Sequence, residues 1–111
     1  MICLQWRKVK GERQERKQVQ LPVSFVGDAR GAGTVTNLSG DGCKIESESL
    51  ILVTQLLVLR IAIPHESEPI VIDVAAVRWS NQHACGVQFV CVKNTEQQRL
   101  DQYLATLLPI E

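Results

Sequence analysis

The sequence predicts an all-β domain, an antiparallel barrel or sandwich of about six short strands, with one helix at its C-terminal end. Three observations predict it. Short segments between residues 19 and 91 either alternate apolar with polar residues or run β-branched. Turn-forming runs rich in glycine, proline, asparagine and serine separate those segments. Beyond residue 93 the apolar residues recur at helical rather than strand spacing. At 111 residues, 45% of them apolar and 22% charged, the chain suits a single domain with one continuous core.

The elements follow in order. Val19 to Val26 alternates as a half-buried strand, and Pro22, which has no N–H for a sheet ladder, places it at an edge or makes its start irregular. Gly27 to Gly33 reads as a turn, Thr34 to Thr36 as a short strand, and Asn37 to Gly42 as a second sharp loop. Cys43 to Glu46 alternates again, and Leu56 to Ile63 is richer in apolar residues before a break from Pro64 to Pro69. Ile70 to Trp79 is long and β-branched; Ser80 to His83 turns it, and Ala84 to Cys91 returns with Val87, Phe89 and Cys91 on one face. Leu100, Tyr103, Leu104, Leu107 and Leu108 make one stripe of a helix over about residues 94–108. Asn94 or Thr95 suits its N-cap, Thr95 and Gln98 have capping-box spacing, and Pro109 stops it. Its stripe is expected to cover an opening of the barrel.

The formal charge is zero but unevenly spread. Residues 1–17 carry Arg7, Lys8, Lys10, Arg13, Arg16 and Lys17 against Glu12 and Glu15, a net +4; residues 18–111 carry six basic and ten acidic residues, a net −4. The chain thus divides into a basic N-terminal arm, 1–17, and a β-domain with its helix, 18–111. Such an arm suits an anionic partner. Cys3, Cys43, Cys85 and Cys91 form no CxxC pair and share no zinc-like spacing with His65 or His83, so reduced thiols and no metal are expected. The run Gln55–Ile63 is interrupted by Arg60 and falls short of the ~18–20 residues that span a bilayer. With no secretory pattern at the start, a cytosolic domain is expected.

Catalytic signatures are missing from the sequence. Ser39 and Ser80 have no histidine at a recognisable spacing, and His65 and His83 fall in or beside turns. Gly31-Ala32-Gly33 precedes a strand, whereas a dinucleotide fingerprint opens a helix. A non-enzymatic role is the expectation.

Two features remain: the arginine-bearing arm, and Asn37-x-Ser39-x-x-Gly42. In this order they resemble the PilZ domain family, whose pattern is RxxxR, a gap of about twenty to thirty residues, then (D/N)xSxxG. Gly42 to Ile45, Val77-Arg78-Trp79 and Gly86 to Phe89 also look like strands of that family, so the resemblance covers roughly residues 12–108. It implies a six-stranded antiparallel β-barrel of the split-barrel type and a bacterial receptor for cyclic di-GMP, with no cofactor besides that ligand. The implied ligand-binding residues are Arg13, Arg16, Lys17, Asn37, Ser39, Gly40 and Gly42, with Trp79 as a stacking surface. The chemistry is apt. Arginine offers a planar fork to a phosphate or to guanine O6 and N7, short polar side chains can meet a base edge, and aromatic rings stack on bases.

The first half of the pattern departs from the family. Arg13 with Lys17 keeps the spacing but replaces the second arginine, whereas Arg13 with Arg16 keeps both arginines but is one residue short. Counting back from Leu21-Pro22-Val23 favours Arg16 as the second, which puts Glu12 where the first should stand. The receptor reading has ligand binding order the arm and alter the charge of one end of the domain. A protein effector in motility, adhesion or exopolysaccharide output would read that change. The departure favours a rival, an adaptor that no longer binds the nucleotide. Nucleic-acid binding is disfavoured by the net-negative body and by 5% aromatic residues, a poor stacking platform.

Overall fold

The computed structural model describes residues 16–107. The strands are β1 (Lys17–Gly27), β2 (Gly31–Leu38), β3 (Gly42–Glu46), β4 (Leu56–Ile61), β5 (Ile70–Ser80) and β6 (Ala84–Cys91), and one helix, α1 (Asn94–Ala105), follows. Every neighbouring pair is antiparallel, and the sheet closes in the order β1-β2-β3-β6-β5-β4. Of barrel and sandwich, the barrel is realised. Alternation makes this possible: Val19, Leu21, Val23 and Phe25 of β1 point inward while Gln18, Gln20, Pro22 and Ser24 stay out of the core. Val35, Ile45, Leu59, Ile72 and Val87 fill the interior from the other strands.

The barrel is closed by α1. Leu100 is fully buried in the same core, and Tyr103, Leu104 and Leu107 pack against it. Burial of one leucine contributes about 1.5–3 kcal/mol, so Leu100 is the main apolar fastening. Arg99 adds a polar one: its guanidinium donates to the carbonyls of Glu68 and Pro69 at 2.6 and 3.0 Å and to the Glu66 carboxylate at 2.8 Å. Leu108 and Pro109 lie outside the described residues.

Four local features differ from the expectations. Gly31 to Gly33 belongs to β2, not to a turn, because Gly33 lies so close to the Glu46 carbonyl that a Cβ would collide with it. β2 also runs on through Asn37 to Leu38, and β1 starts at Lys17, a residue that charge alone assigns to the arm. The N-cap is Lys93, without a side-chain capping bond, so neither Asn94 nor Thr95 caps the helix. Glu96 in the first turn instead accepts the Val71 N–H at 2.8 Å, anchoring the helix start to β5. Finally, Cys43 and Cys85 are buried free thiols, but Cys91 is disulfide-bonded, against the expectation of four reduced cysteines.

Pro22 fits its strand for a local reason. β1 pairs with β4 only from Val23 onward, so the strand has a short open edge just before that point. Pro22 offers only its carbonyl there, which accepts the Ala62 N–H at 2.9 Å.

Candidate functional site

The registers place four residues side by side across the outside of the barrel. Asn37 on β2 pairs with Lys44 on β3, Lys44 with Gly86 on β6, and Gly86 with Trp79 on β5. Three strand spacings make this row roughly 14 Å long. The arm joins the row at one end. Arg16, immediately before β1, donates from its guanidinium to Asn37 Oδ1 at 2.8 Å.

At the other end a bulge sets the geometry. Val77 pairs with Val87 and Trp79 with Gly86, which leaves Arg78 as one extra residue on β5. Strict alternation from the buried Val77 would turn Trp79 inward; the extra residue turns it out, 44% exposed. The indole then lies over Gly86, where a Cβ would strike its Nε1, Cε2 and Cδ1. Arg78 is exposed as well, and its Nε donates to Gln88 Oε1 at 2.8 Å.

Between the two ends the loop from Ser39 to Asp41 is held on every side. The Ser39 N–H donates to the Gly42 carbonyl at 2.9 Å, and the fully buried Ser39 hydroxyl donates to Asp41 Oδ1 at 2.7 Å. The Asp41 carbonyl accepts the Phe89 N–H at 2.8 Å, and the Gly40 carbonyl accepts Gln97 Nε2 of α1 at 3.1 Å. Gly42 is set by close packing: a Cβ there would sit 2.5 Å from the Val87 carbonyl oxygen.

A groove of about 230 Å³ results, lined by Arg16, Asp41, Arg78, Trp79, Gly86, Val87 and Gln88. Two guanidinium groups and an indole face one carboxylate there, a lining suited to a planar base attached to an anion. A larger groove of about 490 Å³ lies beside Gly33, Ser47 and His83, but it carries Glu46 and Glu48 and would repel a phosphate.

Of the residues singled out in the sequence, Arg16 and Trp79 line this groove, Asn37 is bonded to Arg16, and Ser39, Gly40 and Gly42 flank Asp41, which also lines it. Lys17 opens β1 opposite Leu38 and does not line the groove; Arg13 lies outside the described residues. Ser39 and Gly42 shape the loop from within. Sequence reasoning missed Asp41, Lys44, Arg78, Gly86 and Gln88 as members of this face. Lys44 was within reach, since alternation after Gly42 points it outward. Arg78 was not, because nothing in the sequence marks the bulge. Among the described residues, no cluster of histidine, cysteine and carboxylate side chains is suited to a metal, and no helix is long and apolar enough to cross a membrane.

Comparisons with known proteins agree with this architecture. The Bacillus subtilis inhibitor of motility, MotI/DgrA, superposes with a TM-score of 0.70 at 20% sequence identity, over 90% of this chain and 52% of that one. The chain therefore spans about half the length of that protein. No curated protein sequence matches. The family model of the PilZ domain matches residues 11–106, nearly the whole chain and all six strands. With that match added to a closed six-stranded barrel, a C-terminal helix and the Asn37–Gly42 motif, the chain belongs to the PilZ domain family.

Proposed function

We propose that this domain is a non-catalytic receptor for cyclic di-GMP, which docks in the groove between the arm and Trp79. The observation that carries the reading is the bond from Arg16 to Asn37. It joins the root of the basic arm to the (D/N)xSxxG loop, on the same groove as a solvent-facing indole. Arg16 and Arg13 would hold phosphate or guanine edges, with Lys17 as a further cation. Asn37 would meet a base edge, Ser39, Gly40 and Gly42 would hold the ledge in shape, and Trp79 would stack on a guanine. Charge-assisted hydrogen bonds contribute about 1.5–3 kcal/mol each. A few of them, with stacking, support micromolar binding.

Binding would draw the basic arm onto the barrel and change the charge presented at that end, a local electrostatic event that an effector protein can read. Motility, adhesion and exopolysaccharide output are the candidate pathways, and likeness to an inhibitor of motility puts motility first. A second reading, a ligand-free adaptor, is favoured by the way Arg16 and Asn37, and Ser39 and Asp41, already satisfy one another.

Isothermal titration with cyclic di-GMP separates the two. Micromolar or tighter binding that is lost in Arg13→Ala and Arg16→Ala supports the receptor. A folded sample that gives no heat selects the adaptor.

A further inference from the structure

We propose that Arg78 supplies a phosphodiester-binding fork from the barrel side of the groove, opposite Arg16. This inference rests on the cyclic di-GMP reading of the same groove. Glu12 stands where the first arginine of RxxxR belongs if Arg16 is the second, so the arm does not present two guanidinium forks at the family's spacing. The barrel holds one in reserve.

Three observations point to it. The β5 bulge makes Arg78 and Trp79 face solvent together, and both line the groove that Arg16 reaches from the β1 side. The guanidinium is also aimed. Its Nε is tied to Gln88 Oε1, a neutral acceptor, which fixes the plane of the fork without neutralising it. Among the described residues, its two terminal nitrogens have no hydrogen-bond or carboxylate partner, whereas those of Arg99 are taken up by Glu66, Glu96 and two carbonyls.

The geometry suits a ligand with two phosphodiesters. Arg16 and Arg78 approach from the two sides of the β3–β6 surface, one for each charge, while Trp79 offers a face for a base between them. Asp41 is the one carboxylate lining this groove, and its Oδ1 is engaged by the Ser39 hydroxyl. Two forks outweigh it. Arg78 is therefore a ligand-touching residue, and Gln88 is a positioning residue that acts through it.

The test is calorimetric titration of the full chain with cyclic di-GMP at low and near-physiological salt. The original chain, Arg78→Ala, Arg78→Lys and Gln88→Ala are compared, with thermal melts confirming that each is folded. Arg78→Ala is expected to weaken binding about tenfold to a hundredfold, the effect of one charge-assisted bidentate contact. It should also flatten the rise of Kd with salt, since one screened charge pair is gone. Arg78→Lys recovers part of the affinity, because a point charge remains without the fork. Gln88→Ala weakens binding less and keeps the original salt sensitivity. Unchanged affinity in Arg78→Ala overturns the inference and leaves the receptor reading standing. Lost affinity with unchanged salt sensitivity overturns the phosphodiester assignment. No heat from the original chain overturns both readings together.

Discussion

The Trp79 indole lies against the bare Cα of Gly86, its partner on the neighbouring strand, so closely that no side chain fits between them. Glycine in a strand often marks such a close approach, and here it lets an aromatic plane lie flat on the barrel wall. Gly86→Ala is expected to leave the barrel closed and to push the indole off the surface. In a Trp6→Phe background, which isolates the Trp79 signal, its fluorescence should shift and cyclic di-GMP affinity should fall about tenfold, the worth of one base–aromatic stack. Unaltered emission and affinity would show that neither the indole nor its seat matters to binding.

Arg16→Ala makes the opposite separation, between stability and binding. The Arg16–Asn37 bond is exposed, and substitutions at such positions usually change stability by less than about 0.5 kcal/mol. Binding should drop about tenfold or more, because a charge-assisted contact to the ligand is lost. Urea unfolding and titration of the same sample check both halves. A large loss of stability would mean that Arg16 is part of the scaffold and not of a ligand site.

The strands were legible because the barrel obeys alternation almost everywhere: Val19, Leu21, Val23 and Phe25 can be read straight from the chain as an inward row. Legibility failed where one residue was inserted or one side chain was missing. The bulge at Arg78 changes which face Trp79 occupies, and a bulge depends on pairing with β6 that no local pattern records. Gly31 and Gly33 mimic a turn, since their role is to admit Ser49, Glu46 and Ser47 from across the sheet. The Asn37–Gly42 motif was visible, but the burial of Ser39 was not, because burial comes from β6 and α1 folding over the loop.

Gln97 carries that coupling. It is 7% exposed, and its amide donates to the Gly40 carbonyl and to Asp101 Oδ1 at 3.0 Å. Gln97→Leu keeps most of the volume and removes both donors, leaving the Gly40 carbonyl without this partner. The expected loss is about 1–3 kcal/mol in urea unfolding, with faster amide exchange at Asp41 and Gly42. Weaker cyclic di-GMP binding should follow, since the ledge is no longer held from behind. If exchange in the loop stays as slow as before, α1 does not brace it.

The buried thiols set a limit on stability at high pH. Cys43 pairs with Val87 and Cys85 with Ile45, so the two sulfurs are diagonal neighbours facing the core from β3 and β6. Burial raises the pKa of Cys85 from 9.0 to about 11. For Cys43, burial dominates a larger upward shift, the nearby Cys85 adds to it, and Arg16 opposes it. The unfolded chain releases these protons near pH 9 while the folded one keeps them, so the unfolded state binds fewer protons and stability falls as pH rises. The contribution is complete below pH 9 and erodes above it, through about 11 for Cys85 and further for Cys43. Urea midpoints at pH 7, 9 and 10.5 should decline across the last two points. Cys85→Ala should start from a lower midpoint, because packing is lost, yet decline less steeply. Equal slopes for the two proteins would place the alkaline sensitivity in other groups.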